Sequence, residues 1–219
     1  MLKKGERGDD MDKLAVLRQY FGFPAFRAGQ QTLIDAVLSG RDALGVMPTG
    51  GGKSLCYELP ALLLPGMTLV VSPLISLMKD QVMALRNAGI PAGCINSSMS
   101  LDELRETYRD ARYGAYKLLY VAPERLLTDG FCSLAQELEI PLVAVDEAHC
   151  ISEWGQDFRP SYLKIVEFLQ RLPRRPAVAA FTATATAQVR ADIIRILQLH
   201  EQETVVTGFD RPNLRFEVL

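Results

Sequence analysis

The amino-acid sequence predicts an α/β fold in which a mainly parallel sheet lies between two layers of helices. Short apolar segments without polar alternation recur along the 219 residues, which is typical of strands that are buried on both faces. Segments with helical periodicity separate them, and this alternation favours parallel strands joined by helical crossovers. The composition, 48% hydrophobic and 23% charged, is that of a globular protein and excludes disordered, collagen-like and coiled-coil chains.

The amino-terminal half is predicted to begin with two helices. Apolar residues recur with helical spacing from Leu14 to Phe21, and Gly22 and Pro24 end that helix. A second helix follows at Gln30–Leu38 and ends at Ser39–Gly40. The next elements follow from the same patterns: strand Asp42–Met47, helix Lys53–Leu64, strand Thr68–Ser72, helix Ile75–Ala88 and a weaker strand near Cys94–Asn96.

The carboxyl-terminal half continues the alternation. Helix Leu101–Arg112 has Ser100 at the N-cap position, and Glu103 stands at the spacing of a capping box. The later elements follow from apolar runs and helical spacing: strands Lys117–Val121, Leu142–Val145 and Ala177–Phe181, helices Leu163–Leu172 and Val189–Leu199, and strand-like segments Thr204–Val206 and Arg215–Leu219.

One domain is predicted to occupy residues 13–207. Residues 1–12 are polar and charged, so we expect a flexible leader that lacks the apolar core of a signal peptide. Residues 208–219 resemble a strand that is beginning, so we expect them to start a linker or first strand toward a second domain of a longer protein. The longest apolar run, Leu59–Leu64, is too short to span a membrane, and no membrane partner is expected.

The net charge and the cysteine spacing limit the kinds of binding site that the chain is expected to have. The 24 basic and 26 acidic residues give a net charge of −2, so a nucleic-acid site has to be a local patch. The four cysteines form no C-x-x-C pair and only two histidines are present, which argues against a zinc site. We expect reduced, mostly buried thiols in a cytoplasmic protein.

The segment M-P-T-G-G-G-K-S, from Met47 to Ser54, is predicted to be a phosphate-binding loop because it follows a strand and opens a helix. Backbone N–H groups at a helix N-terminus surround an anion, and glycines let the backbone approach it closely. Met47 stands where the general pattern has glycine, and a simple glycine-rich turn is the alternative. The candidate nucleotide ligands here are Thr49, Gly50, Gly51, Gly52, Lys53 for the β- and γ-phosphates, and Ser54 for Mg²⁺.

Two acids follow the apolar strand Leu142–Val145. Asp146 and Glu147 are therefore expected at the carboxyl edge of the parallel sheet, where such folds bind ligands. Asp146 is predicted to hold Mg²⁺, and Glu147 to orient or deprotonate the attacking water. The alternative is a solvated acidic turn. His149 is assigned to coupling rather than to proton transfer.

Five motifs, two of them containing the phosphate loop and the acidic box, occur in a fixed order along the chain. They are M-P-T-G-G-G-K-S, S-P-L-I-S-L-M-K-D-Q, Y-V-A-P-E-R-L, D-E-A-H-C-I-S-E-W-G-Q-D-F-R-P-S-Y and F-T-A-T-A-T. Together they resemble the first RecA-like motor domain of RecQ-family DNA helicases of superfamily 2, from about Leu14 to the C-terminus. The resemblance implies a RecA-like P-loop NTPase fold, a three-layer αβα sandwich, with ATP and Mg²⁺ as cofactors.

The resemblance also implies an adenine site before the phosphate loop, in F-G-F-P-A-F-R-A-G-Q. Gln30 would bond the adenine edge, Phe23 would stack on the base, and Arg27 would lie close by. A tyrosine is common in the family where this chain has Phe23, so stacking is kept and a hydroxyl contact is lost. From the residues alone, Phe23 is equally well a core aromatic and Gln30 a solvated helix residue.

Matching motifs further imply contacts with single-stranded or partly duplex DNA. Trp154, Phe158 and Arg159 match the aromatic-rich loop that senses single strands, where aromatic faces stack on unpaired bases. An isolated tryptophan is more often buried, which is the alternative for Trp154. The other matching residues are Thr182 and Thr184 for coupling, and Ser72, Ser76, Lys79 and Gln81 for gripping phosphates, with β-propensity and helix capping as alternatives.

The family motor has two RecA-like domains, and its second domain supplies arginines to the transition state. The resemblance therefore implies a 3′-to-5′ helicase of DNA repair and recombination, nucleoid-associated if bacterial, whose second domain is a partner absent from this chain. We expect slow or no ATP hydrolysis by this chain alone. Two alternatives remain: an RNA helicase, since D-E-A-H is shared with that group, and a nucleotide-gated binding module without turnover. A small-molecule kinase would need a lid and a phosphoacceptor pocket, and the sequence shows neither.

Overall fold

Seven strands form one sheet in the part of the chain that the computed structural model describes, which is the backbone of residues 6–208 and the side chains of residues 13–208. Every neighbouring pair of strands is parallel, and their order is β3-β4-β2-β5-β6-β1-β7. The strands are β1 (Ala43–Val46), β2 (Thr68–Val71), β3 (Ala92–Ile95), β4 (Leu118–Val121), β5 (Leu142–Val145), β6 (Ala177–Thr182) and β7 (Glu203–Val206).

Eight α-helices of the described region accompany this sheet: α1 (Glu6–Phe21), α2 (Gln30–Leu38), α3 (Leu55–Leu63), α4 (Ile75–Asn87), α5 (Leu101–Arg112), α6 (Asp129–Glu137), α7 (Lys164–Arg171) and α8 (Ala187–Leu197). Short 3₁₀ helices lie at Pro123–Arg125, Ala148–Ile151 and Pro160–Leu163. No helix among the described residues is both long and apolar enough to cross a membrane.

The core has two halves, one on each face of the sheet. On one face, α2, α3 and α4 pack against alternate strand residues such as Val70, Tyr120 and Phe181. On the other face, α5, α6, α7 and α8 pack against the intervening residues, including Val71 and Val145. Burial on both faces explains why the strands read as continuous apolar runs, and it confirms the three-layer αβα prediction.

The sheet order brings the sequence motifs together. Strands β2, β5, β6 and β1 are consecutive neighbours, and all are parallel. Their carboxyl ends therefore lie at one edge of the sheet, where ligands bind in such folds. The segments that follow these four ends begin at Ser72, Asp146, Ala183 and Met47, so four of the predicted motifs meet there.

Several predicted elements agree closely with the structure and a few differ. Helix α5 has the predicted bounds and a complete capping box between Ser100 and Glu103. Helix α6 was not predicted, although a crossover between parallel β4 and β5 requires such an element. Strand β3 ends one residue before Asn96, and α3 begins at Leu55 because Lys53 and Ser54 belong to the preceding turn.

The predicted domain limits are only partly covered by the structure. Helix α1 begins at Glu6, within the leader predicted over residues 1–12, and residues 1–5 are outside the described range. The predicted strand-like segment Arg215–Leu219 and nearly all of the predicted linker also lie outside the described residues. The four cysteines are free thiols, with Cys56 and Cys150 buried and the other two partly buried.

Candidate active site

A cleft of about 420 Å³ opens at the carboxyl edge of the sheet and contains most of the predicted nucleotide-site residues. It brings together segments that are far apart in sequence: the region before α2, the loop after β1, and the acids after β5. Its lining residues are Phe23, Ala25, Arg27, Gln30, Thr49, Gly50, Gly52, Lys53, Ser54, Leu55, Leu77, Gln81, Asp146 and Glu147.

The loop from Met47 to Ser54 joins β1 to α3 through a tight turn. The Gly51 amide donates to the Pro48 carbonyl at 2.8 Å, and Gly50 and Gly52 have φ near +80°. Glycine is the residue that adopts this left-handed backbone readily. A Cβ atom at Gly52 would lie 2.3 Å from Nε2 of Gln30, so a larger residue there would displace the Gln30 side chain. The loop therefore has the form that the phosphate-loop prediction requires.

Gln30 and Lys53 are bonded to carbonyl groups of this loop in the structure. Gln30 is 2% exposed, accepts from the Arg27 backbone amide at 2.7 Å, and donates from Nε2 to the Gly52 carbonyl at 3.0 Å. Nζ of Lys53 donates to the Met47 carbonyl at 3.2 Å. Gln30 is thus not a solvated helix residue, and an adenine contact would require its side chain to exchange the Gly52 carbonyl for the base.

Phe23 and Arg27 form the outer lip of the cleft. Phe23 is 46% exposed, so it is not a core aromatic, which was the alternative interpretation. The Arg27 guanidinium lies 6.0 Å from the centre of the Phe23 ring and donates to the Gly50 carbonyl. An exposed aromatic face next to a cation is well suited to stacking on a flat base.

The acids Asp146 and Glu147 occupy different environments. Asp146 is 5% exposed, and its carboxylate accepts the Glu147 backbone N–H at 3.0 Å. Glu147 has φ 47° and ψ 45°, a left-handed conformation that is uncommon outside glycine and is frequent at functional sites. Its carboxylate lies 3.2 Å from Nδ1 of His149. These are not the contacts of a freely solvated acidic turn.

The environment raises the pKa of Asp146 and lowers the pKa of the adjacent Glu147. Burial, and then the charge of Glu147, raise the pKa of Asp146 to about 6. The hydrogen bond with His149 lowers the pKa of Glu147. Hydrogen bonds with Cys150 and Glu147 raise the pKa of His149 to about 10. The arrangement favours an ionised Glu147 beside a protonated histidine at neutral pH.

His149 connects the acidic box to the end of β6. Its Nδ1 lies 2.9 Å from the Thr182 hydroxyl, which in turn donates to the Thr184 carbonyl at 3.1 Å. Thr182 is buried and Thr184 is exposed, and the N-cap of α8 is Thr186, so neither of the two predicted threonines serves as the cap. Thr182 therefore contacts His149 rather than a carboxylate of the acidic box, a position consistent with the predicted coupling role.

Ser54 and Asp146 supply a hydroxyl and a carboxylate to one cleft. These are the hard oxygen ligands that Mg²⁺ prefers, and Mg²⁺ commonly keeps several waters and takes only one or two protein carboxylates. The residues present therefore fit the predicted ion. Within the described region, no group of three or more His, Cys, Asp or Glu is placed to hold a metal.

The aromatic-rich segment lies directly after the acidic box as an exposed loop. Trp154, the only tryptophan of the chain, is 74% exposed, so it is not buried under the sheet edge as the alternative had it. Phe158 and Arg159 are partly exposed. The Arg159 guanidinium pairs with Asp157 at 2.6 Å and donates to the Pro73 carbonyl at 3.1 Å, which ties this loop to the segment after β2.

The segment after β2 places its predicted phosphate-gripping residues differently. Ser72 is buried, whereas Ser76 and Lys79 are exposed on the first turns of α4. The N-cap of α4 is Leu74, so neither serine is the cap. Gln81 points toward the nucleotide cleft and accepts a hydrogen bond from the Tyr57 hydroxyl at 3.3 Å, so its predicted DNA contact is not what its position favours.

A partly buried carboxyl group next to the cleft is not predicted by the sequence patterns. Glu58 lies on α3 one turn after Ser54, and its carboxylate accepts from the Tyr120 hydroxyl at 3.4 Å. Burial raises the pKa of Glu58 to about 7, and the Asp146 charge adds to this effect. A charged residue in a helix is usually solvated, so only the packing of α3 on the sheet reveals this group.

We expect Glu58→Gln to remove a pH-dependent loss of stability. Because the pKa is raised from 4.5 to about 7, the folded state holds the proton more tightly, and stability falls as the pH rises through that window. Between pH 5 and pH 8, the free energy of unfolding of the variant should therefore rise by about 1 to 3 kcal/mol relative to that of the unmodified chain. Denaturant unfolding without metal measures this difference, and exposed Glu106→Gln is the control, whose stability we expect to follow that of the unmodified chain at both pH values.

The comparisons with known proteins agree with this geometry. The family described as DEAD/DEAH box helicase matches residues 27–193. The chain is 50% identical to the ATP-dependent DNA helicase RecQ of Bacillus subtilis, over 94% of this chain and 35% of that protein. It is 47% identical to the protein of the same name from Pasteurella multocida, over 94% of this chain and 32% of that protein. The chain thus spans about a third of the length of these relatives.

A solved structure shares the fold at lower sequence identity. The DUF1998 helicase MrfA, crystallised with DNA, superposes with a TM-score of 0.70 and 17% identity over 90% of this chain and 29% of that one. This likeness confirms the RecA-like architecture and carries no residue roles. The family match covers most of the sequence and includes the phosphate loop, the acidic box and the end of β6. The chain therefore belongs to the DEAD/DEAH box helicase family.

Proposed function

We propose that this chain is the ATP-binding motor domain of an ATP-dependent 3′-to-5′ DNA helicase of the RecQ type, which unwinds DNA in repair and recombination. One observation carries the proposal. A single cleft combines the phosphate loop, Gln30 and Phe23 with the acidic box, and the exposed Trp154 loop follows the box directly. The Bacillus subtilis relative that is 50% identical is named a DNA helicase, and this supports DNA as the substrate.

In this proposal the cleft binds ATP along its length. The phosphates lie against the loop Thr49–Ser54, where backbone N–H groups at the start of α3 favour an anion. Lys53 exchanges the Met47 carbonyl for the β- and γ-phosphates. The adenine stacks on Phe23 beside Arg27, and Gln30 exchanges the Gly52 carbonyl for the edge of the base. The ligand thus replaces hydrogen bonds that the loop makes within itself.

The acidic box supplies the chemistry of hydrolysis in this proposal. Ser54 and Asp146 would hold Mg²⁺, which would neutralise phosphate charge when bound. Glu147 is ionised and aimed by its left-handed backbone, so it can orient the attacking water and accept its proton. His149 connects Glu147 to Thr182 and so relates the state of the box to the end of β6. A second RecA-like domain completes the site with arginines.

Single-stranded DNA is proposed to cross the same edge of the sheet. Trp154 and Phe158 offer aromatic faces to unpaired bases. Arg159 joins their loop to the segment after β2, on which Ser76 is exposed and Ser72 is buried. Arg159 is paired with Asp157, so a phosphate contact would compete with that ion pair. Stacking on Trp154 is therefore the strongest contact that we assign to this surface.

An RNA helicase is the main alternative, because the family description covers helicases without separating DNA from RNA. A nucleotide-gated binding module without turnover is the second alternative, and Lys53 and Glu147 in one cleft argue against it. Stimulation of ATP hydrolysis by DNA but not RNA, in a protein with both motor domains, distinguishes the proposal from both. A cytoplasmic location stays a prediction from the sequence.

We expect Trp154→Ala to weaken the binding of single-stranded DNA by this chain about 5- to 100-fold, because stacking contributes about 1 to 3 kcal/mol for each base. Fluorescence anisotropy of a labelled oligonucleotide measures the affinity. Tyr113→Ala is the matched control, since Tyr113 is 84% exposed at the end of α5, toward the amino edge of the sheet. Equal losses in the two variants, or none in Trp154→Ala, would contradict the proposed DNA surface.

A further inference from the structure

The base of the exposed Trp154 loop is fixed by a buried serine. Ser152 is completely buried, and its hydroxyl donates to the Asp192 carboxylate at 2.7 Å. The same oxygen accepts the backbone N–H of Trp154 at 3.2 Å. One hydroxyl thus connects a carboxylate of α8 to the backbone of the most exposed aromatic residue on this edge of the sheet.

The loop around this serine has little room to adopt another path. The Gly155 amide donates to the Ser152 carbonyl at 2.9 Å, and a Cβ atom at Gly155 would lie 2.2 Å from the His149 carbonyl oxygen. The Arg159 amide donates to the Cys150 carbonyl at 2.8 Å and closes the loop. The turn is therefore tightly bonded at its base, whereas the Trp154 side chain is mostly exposed and is not held by packing in the core.

Asp192 links this loop to the element that follows the end of β6. It lies on α8, whose N-cap is Thr186, a few residues after the Thr182 hydroxyl that contacts His149. Its second oxygen accepts from Arg195 at 2.9 Å, and the hydrogen bonds from Arg195 and Ser152 lower the pKa of its carboxyl group. Asp192 is 6% exposed, whereas the Arg195 side chain is 71% exposed.

We propose that Ser152 and Asp192 are positioning residues that hold Trp154 in its solvent-exposed place, and that binding of single-stranded DNA depends on them. The proposal rests on the proposed function for the part that concerns DNA. The geometry of the anchor is independent of that function. Removing the carboxylate or the hydroxyl frees the Trp154 backbone from α8, so the aromatic face loses the fixed orientation that stacking requires.

The sole tryptophan makes the anchor measurable in this chain. We expect Ser152→Ala and Asp192→Ala to lower the steady-state fluorescence anisotropy of Trp154 and to weaken single-stranded DNA binding roughly three- to tenfold. Asp192→Asn should restore most of both signals, because its amide oxygen still accepts from Ser152. Arg195→Ala is the matched control: it removes the other partner of the same carboxylate, and we expect unchanged values. Circular dichroism at the working temperature confirms that each variant is folded.

The outcomes separate the inference from the proposed function. If the variants are folded and their Trp154 anisotropy equals that of the unmodified chain, the anchor does not hold the loop and the inference is wrong. If anisotropy falls while DNA affinity stays unchanged, the positioning role is also wrong. If the unmodified chain binds no single-stranded DNA, the proposed DNA surface fails, and the anisotropy result alone decides whether the anchor exists. If Ser152→Ala unfolds, the comparison of Asp192→Ala, Asp192→Asn and Arg195→Ala still decides the question.

Discussion

Lys53→Ala is expected to weaken ATP binding by this chain about 10- to 100-fold, because each hydrogen bond to a charged group contributes about 1.5 to 3 kcal/mol. Among the described residues, no other lysine lines the cleft, and its one arginine, Arg27, lies at the outer lip beside Phe23. A phosphate chain along the loop would therefore lose the cation nearest to it. Calorimetric titration with ATP and Mg²⁺ measures the affinity.

The control for this variant is Lys164→Ala, which removes the same charge from an exposed position on α7. We expect its ATP affinity to equal that of the unmodified chain. ATP binding that survives Lys53→Ala unchanged would place the phosphates elsewhere and would contradict the assignment of the loop. Loss of affinity in both variants would indicate a general charge effect rather than a contact.

Asp42→Ala is expected to lower the free energy of unfolding by about 2 to 5 kcal/mol, because each buried donor that loses its acceptor costs about 1 to 3 kcal/mol. Asp42 is 1% exposed just before β1, and its carboxylate accepts from both terminal nitrogens of Arg175. It also accepts the backbone amides of Val178 at 2.8 Å and His200 at 2.7 Å. The substitution would leave the buried Val178 amide, and the partly buried donors of Arg175 and His200, without their acceptor at the point where β1, β6 and the α8–β7 connection meet.

Urea unfolding followed by circular dichroism measures this change. Asp102→Ala is the control, because its side chain is 94% exposed and its pair with Arg105 is a surface contact. Surface pairs contribute about 0 to 1 kcal/mol, so we expect little change in that variant. A loss for Asp42→Ala no larger than that for Asp102→Ala would show that the carboxylate is not a structural centre.

Much of the site follows from sequence because the strands are parallel. Once β1 and β5 are recognised, the residues after them must lie at one edge of the sheet, and so Lys53 and Asp146 must face a common cleft. Helix α5 was predicted to the residue because its capping box is a local signal. Helix α6 was missed because its short segment D-G-F-C-S-L-A-Q-E begins with Asp-Gly, which is typical of a turn.

The rest of the site depends on contacts between distant residues. Ser152 and Asp192 are 40 positions apart, and no periodicity indicates that they touch. The partial burial of Glu58 depends on how α3 packs against β4. The left-handed backbone of Glu147 depends on the turn that leads from β5 into the 3₁₀ helix Ala148–Ile151. The Gln30–Gly52 bond likewise arises from the close approach of two segments. Sequence patterns can identify the individual residues of a site, but they do not show which distant residues contact one another.

The central claim is that this chain forms half of an ATP-driven motor, and the rate of ATP hydrolysis tests it most directly. We predict that the chain alone binds ATP but hydrolyses it slowly or not at all, with or without single-stranded DNA. Joined to a second RecA-like domain, it should gain hydrolysis that single-stranded DNA stimulates and that Glu147→Gln lowers at least about 100-fold. Glu147-dependent, DNA-stimulated hydrolysis by the chain alone would contradict the account, and so would a joined protein that binds ATP and DNA but never hydrolyses ATP.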